Sequence, residues 1–141
     1  MYVEGESARI GRLSLPLPLV AQMRAAPAIE VAATPEARLD YLLRDYAYLG
    51  DDVDALTDKL GVLTDHLGKE TVGRWQTWAR EKALSPLFAE LMRLHYDPHY
   101  ERSQSNHFKL WGERQRIEAN GLQSADIEQI AQRILALELN A

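Results

Sequence analysis

Apolar positions along the chain follow two different periods. From about residue 35 to 96 they recur every three or four residues, which predicts helices. Leu39, Leu42, Leu43 and Tyr46 form one stripe, and Val53, Leu56 and Leu60 a second. Val72, Trp75 and Ala79 form a third, and Phe88, Leu91 and Met92 a fourth. The boundaries carry helix signals. Thr34-Pro35-Glu36 supplies a hydroxyl cap, a proline at the first helical position and an acid in the first turn. Gly50 is expected to close that helix, Asp51 or Asp52 to cap the next, and Gly61 or Gly68 to break it. The third helix is expected from about Lys69 to Lys82, and Ser85-Pro86 is expected to cap the fourth. A shorter helix fits from about Pro16 to Ala25, stopped by Pro27, and Ser124 can cap a last one striped by Ile127, Ile130, Ala131 and Ile134.

Elsewhere the period shortens to two. Ala28 to Ala32, His107 to Trp111 and Gln115 to Ala119 alternate like strands. Tyr2-Val3-Glu4 reads as a strand end leaving through the turn Gly5-Glu6-Ser7, so a preceding segment is expected. His95 to Ser105 is polar and turn-like around Asp97-Pro98. Strand then helix at both ends, with helices between, predicts a mostly helical α/β fold: a sheet edge carrying a four-helix insertion. Residues 1–34 form the sheet and turn segment, 35–96 the insertion, and 97–141 the returning strands and C-terminal helix.

Composition narrows the function. With 141 residues, 46% apolar and 26% charged, the chain is one folded domain or a large piece of one. Sixteen Lys and Arg against 21 Asp and Glu give a net charge of −5, which excludes a globally basic nucleic-acid grip but not a local basic face. The absence of cysteine excludes a disulfide scaffold, a thiolate zinc site and a cysteine nucleophile in this chain. No apolar run approaches the roughly 20 residues of a membrane helix. Met1-Tyr2-Val3-Glu4 lacks the basic-then-apolar pattern of a signal peptide, so no membrane partner and a cytoplasmic location are expected.

Candidate chemistry sits in three stretches. Glu4 and Glu6 lie at a strand end, where two carboxylates can hold Mg²⁺ through water. Ser7 can donate to a phosphate or cap the turn, and Arg9 and Arg12 can meet phosphates; the structural alternative is a charged surface turn. Lys69 follows Gly68 at a helix start, where free N–H groups plus a cation can receive phosphate. Arg74 joins it only obliquely, and a solvated lysine is the alternative. His95, Asp97 and His99 have metal-like spacing, but Pro98 is expected to break the helix that would align residues 95 and 99, so no metal is expected. Asp97 is expected to cap the Asp-Pro turn, with Tyr96 and Tyr100 packing or stacking and Arg102 near enough to meet a phosphate. The window from Arg102 to Arg116 is the one locally basic stretch. Trp75 is expected in the core and Trp78 exposed.

Three blocks, in order and spacing, resemble the C-terminal part of bacterial tRNA 2-selenouridine synthase. They are Val3-Glu4-Gly5-Glu6-Ser7-Ala8-Arg9-Ile10-Gly11 with Leu15-Pro16, His66-Leu67-Gly68-Lys69-Glu70 with Arg74-Trp75, and His95-Tyr96-Asp97-Pro98-His99-Tyr100-Glu101-Arg102-Ser103. Leu67 departs from the family's H-G-K-E, and Arg38 and Tyr46 sit where the family often has R-V and D-Y. The resemblance implies a parent enzyme with a cysteine-bearing rhodanese part and a P-loop part, of which this chain resembles the last portion. It implies transfer of a geranyl group from geranyl diphosphate to wobble 2-thiouridine of tRNA, then replacement of sulfur by selenium from selenophosphate. It favours Tyr96, Asp97 and Tyr100 over the histidines. The chain has neither cysteine nor a G-x-x-x-x-G-K-[ST] loop, so it holds no catalytic residue of its own and is expected to be silent alone. The implied partners are tRNA and the rest of the parent enzyme, with self-association through exposed sheet surface. The alternative is a stand-alone helical module that binds protein or RNA without catalysis.

Overall fold

The computed structural model describes residues 1–5 and 7–139, without the side chains of residues 138 and 139. The chain is a mostly helical α/β protein. Strands β1 (Arg9–Ile10) and β2 (Leu13–Ser14) form a small antiparallel hairpin, with Ile10 opposite Leu13. Gly11, at φ 61°, takes the first position of its two-residue turn, as a II′ turn requires. Helix α1 (Leu17–Ala25) starts behind Pro16 and ends before Pro27. Strand β3 (Ile29–Ala32) runs parallel to β4 (Gln115–Glu118), in the register Ile29 with Gln115 to Ala32 with Glu118.

Between these strands the chain is helical. Helix α2 (Pro35–Asp45) begins where Thr34 Oγ1 accepts the Ala37 N–H at 3.1 Å. It ends at Asp45, and a 3₁₀ turn (Ala47–Gly50) carries the chain to Gly50, whose lack of a side chain admits Leu84. Asp52 caps α3 (Val53–Gly61) by accepting from the Ala55 N–H at 3.0 Å. A short helix α4 (Thr64–Leu67), absent from the sequence pattern, ends at Gly68, which at φ 85° hands over to α5 (Lys69–Arg80). Helix α5 closes through Lys82 at φ 56°. The Ala83 N–H reaches Trp78 O at 2.8 Å and the Lys82 N–H reaches Ala79 O at 3.2 Å, a Schellman cap.

Helix α6 (Leu84–Leu91) starts one residue before the expected cap, so Ser85 lies inside it and caps nothing. The larger correction concerns residues 95–105, which are not a turn: a π turn (Met92–Tyr96) joins α6 directly to α7 (Asp97–His107). The Asp97 N–H bonds to Met92 O, five residues back. The wider turn absorbs Pro98, which has no N–H to offer and sits in the first turn of α7, where none is needed.

Two further expectations fail. Residues 2–4 form no strand; Tyr2 Oη instead donates to Ile134 O of helix α8 (Ser124–Leu139) at 3.1 Å. His107 to Trp111 is not a strand either: His107 ends α7, and Trp111 opens a 3₁₀ turn (Trp111–Glu113). Alternation there reflects a tight turn around a buried Trp111 rather than a pleat. The last helix begins as expected, but Asp126 Oδ2 accepts from the Gln123 N–H at 3.0 Å, so the reach-back from Asp126 does the capping that Ser124 was expected to do.

Two cores result. The larger joins Leu56, Leu60, Val72, Trp75, Ala79, Leu87 and Phe88, with Leu39, Leu42 and Leu43 against its side. The smaller packs Ile117 of β4 and the adjoining Ala119 on Ile130, Ile134 and Leu137 of α8, while Ile127 of the expected stripe is exposed. Among the described residues no helix is long and apolar enough to cross a membrane.

Candidate functional site

The two cores leave a cleft of about 680 Å³ between them. One wall is the sheet, with Glu30 and Ala32 of β3, the adjoining Ala33, and Arg116 of β4. The second wall is α2 and its 3₁₀ turn, with Arg38, Tyr41, Leu42 and Tyr46. The third is the α6–α7 rod, with Phe88, Met92, Tyr96, Asp97 and Tyr100. Its position by the carboxyl end of β3 is where parallel α/β sheets bind ligands.

One ion pair ties the second wall to the third. Arg38 Nη2 donates to Asp97 Oδ1 at 2.6 Å and Nη1 to Oδ2 at 3.0 Å, a fork-to-fork contact between residues 59 apart in sequence. The Asp97 hydrogen bonds hold the Arg38 guanidinium pKa above its ordinary value, against the opposing effect of burial. Asp97 therefore does not cap a turn; the π turn continues the helix and aims its carboxylate at α2. Glu30 is held by Arg114 Nε at 2.7 Å, and Arg114 also lies 4.3 Å over the Trp111 ring. Trp111 Nε1 donates to Glu101 Oε1 at 3.0 Å, and its ring meets Tyr100 edge-on with centroids 6.1 Å apart. Buried Trp111 thus sets the wall that carries Tyr100 and Glu101. The cleft's carboxylates are matched by cations or by an N–H, and its remaining surface is mainly tyrosine and aliphatic. It suits a planar or apolar group with hydrogen-bonding edges.

The sequence candidates separate into three places. Tyr96, Asp97 and Tyr100 come together in the cleft, and both tyrosines are exposed to a ligand. Arg102, on the same helix, is exposed and lies outside the lining. Glu4, Ser7, Arg9 and Arg12 lie at the hairpin end. Ser7 Oγ accepts the Arg9 N–H at 3.1 Å, the turn-capping alternative. Glu4 is exposed and Glu6 lies outside the described residues, so no Mg²⁺ ligand set is defined there. This block still touches the third: Gln104 Nε2 donates to Gly5 O at 3.2 Å, and Phe108 stacks where a Gly5 side chain would be.

Lys69 starts α5, but Arg74 does not join it. Arg74 Nη2 donates to Glu90 Oε2 at 2.7 Å, beside the Trp75 Nε1 bond to the same oxygen at 2.8 Å. Those two donors, Arg74 first, hold the Glu90 carboxyl below its ordinary pKa. Trp75 is core, as expected, while Trp78 is partly buried against the core under the Arg74 guanidinium rather than exposed. The basic window is also partly spent: Arg114 pairs with Glu30 and Arg116 with Glu118 at 3.0 Å. Glu30 and Tyr41 are not among the sequence candidates, since single residues on different elements leave no spacing to read.

Residues 1–63 match the model of the tRNA 2-selenouridine synthase AAA domain. Over that stretch, somewhat under half of its length, the chain is similar to that domain. The matched stretch runs from the hairpin through β3 and α2, and so includes Arg38, Tyr41 and Tyr46 of the cleft. The Tyr96-Asp97-Pro98 block lies beyond it. No curated protein and no solved structure matches the chain.

Proposed function

We propose that this chain is the closing part of the P-loop-type domain of a tRNA 2-selenouridine synthase, and that its cleft receives part of the tRNA or of the diphosphate substrate. The observation that carries the reading is the Arg38–Asp97 pair. It joins a residue of the family-matched segment to the Tyr96-Asp97-Pro98-His99-Tyr100 block across one cleft. In the parent reaction, geranylation of wobble 2-thiouridine followed by exchange of sulfur for selenium, this part would bind and orient. The nucleophilic cysteine and the phosphate loop would come from elsewhere in the enzyme. Tyr96 and Tyr100 supply stacking faces for a base. Exposed Ile10, Leu13, Leu17 and Val31 supply an apolar surface for the rest of the enzyme. A cytoplasmic location follows from a tRNA substrate.

The test is fluorescence anisotropy of the chain with an anticodon stem-loop carrying 2-thiouridine, with geranyl diphosphate as competitor. Expected is salt-dependent binding, weakened about tenfold by Tyr100→Ala, in line with about 1–3 kcal/mol per stacked base. No turnover is expected from the chain alone. Binding equal to that of an unmodified, unrelated hairpin and untouched by Tyr100→Ala would overturn the reading and leave a helical module for another partner.

A further inference from the structure

The junction between the π turn and α7 holds a second feature, independent of the cleft's ligand. A break at Pro98 would have separated His95 from His99. The continuous rod instead sets them one turn apart on one face, with ring centroids 5.0 Å apart and planes tilted by 38°. Imidazole nitrogens bind borderline divalent ions at about 2.0–2.1 Å, so two imidazoles on one tetrahedral ion hold their ring centres about 5 Å apart. Histidines at i and i+4 on one helix face are a recurrent zinc-binding arrangement. We propose that His95 and His99 form a two-imidazole chelate for a borderline divalent metal ion (Zn²⁺, Ni²⁺ or Cu²⁺), with water completing its coordination.

The pair is open to this role. His99 is exposed and His95 half-buried, so an ion reaches them from solvent. The rings contact each other and, for His95, Tyr96 edge-on at 5.5 Å, and His66 is near enough to His95 to interact with it electrostatically; among the described residues neither ring makes a hydrogen bond. The nearest carboxylate in sequence, Asp97, is committed to Arg38. Among the described residues no three His, Cys, Asp or Glu side chains stand assembled as a metal site, so the ion has two protein ligands and the affinity of a chelate, not of a closed structural centre. Once bound, it staples the π turn to α7 across Asp97 and Pro98, the segment that presents Tyr96 and Asp97 to the cleft.

Titration calorimetry of the metal-stripped, full chain with Zn²⁺ and with Ni²⁺ tests this. Expected is one ion per chain with Kd on the order of micromolar, and a thermal midpoint that rises with metal concentration. His99→Ala and His95→Ala should each weaken binding at least about tenfold, or about 1.4 kcal/mol. His107→Ala, two turns further along α7, should change it less than about twofold. His99→Gln, with fold checked by circular dichroism, repeats the test without shortening the side chain to a methyl. Binding no tighter than about 1 mM, binding that survives His99→Ala and His99→Gln, or equal loss in His107→Ala would each overturn the proposal.

Discussion

At the scale of single residues, Glu90 is a polar node with two donors on one oxygen. One of its oxygens takes both the Arg74 guanidinium and the indole N–H of fully buried Trp75, which pins α5 to α6. Glutamine keeps an acceptor oxygen but loses the charge that strengthens both bonds, so Glu90→Gln should cost about 1 kcal/mol in denaturant unfolding. The pH dependence has a definite sign. Glu90 is depressed in the folded chain, so its contribution is complete above the ordinary carboxyl value and is lost as pH falls through the lowered one. Wild type should therefore lose more stability than Glu90→Gln between about pH 7 and about pH 3; equal losses would show that Glu90 contributes nothing to the acid sensitivity. The Arg38–Asp97 pair is different, because its side chains are 34% and 46% exposed. A double-mutant cycle with Arg38→Ala and Asp97→Ala should return a coupling of only about 1 kcal/mol or less, with the larger effect on ligand binding.

At the scale of elements, two backbone positions control the join between α4, α5 and α6. Gly68 stands at φ 85° and ψ 156°, a region that side chains avoid. Gly68→Ala should destabilise by about 1–3 kcal/mol although open space surrounds its Cβ position. Lys82 fills the left-handed cap position where glycine is usual. Lys82→Gly should stabilise by about 0.5–1 kcal/mol by relieving that conformation, measurable as a rise in thermal midpoint. The π turn is the third such device. It keeps 24 residues, Leu84 to His107, in one rod despite Pro98, and it decides which way Asp97 faces.

At the scale of the molecule, the two cores are unequal. Trp75, Leu87 and Phe88 anchor a multi-helix cluster, while the β3–β4 pair packs on α8 and Leu122. Hydrogen exchange should be slowest in α5 and α6 and faster in the β1–β2 hairpin and α8, since few buried contacts hold the latter; uniform protection would contradict two separable cores. The sequence by itself determined the helices that carry strong caps and stripes, α2, α3 and α5, the strands at 29–32 and 115–118, and the identity of the core around Trp75. Those features rest on contacts within a few residues, which local periodicity records. It also marked Tyr96, Asp97 and Tyr100, through a motif rather than through geometry. Only the tertiary structure decided that Asp97 meets Arg38, that Pro98 lies within a helix, that Trp111 is buried beside Tyr100, and that His95 and His99 share a face. Each of these depends on where the chain returns after tens of residues, or on one extra residue in a helical turn. Side-chain spacing along the sequence carries no trace of either.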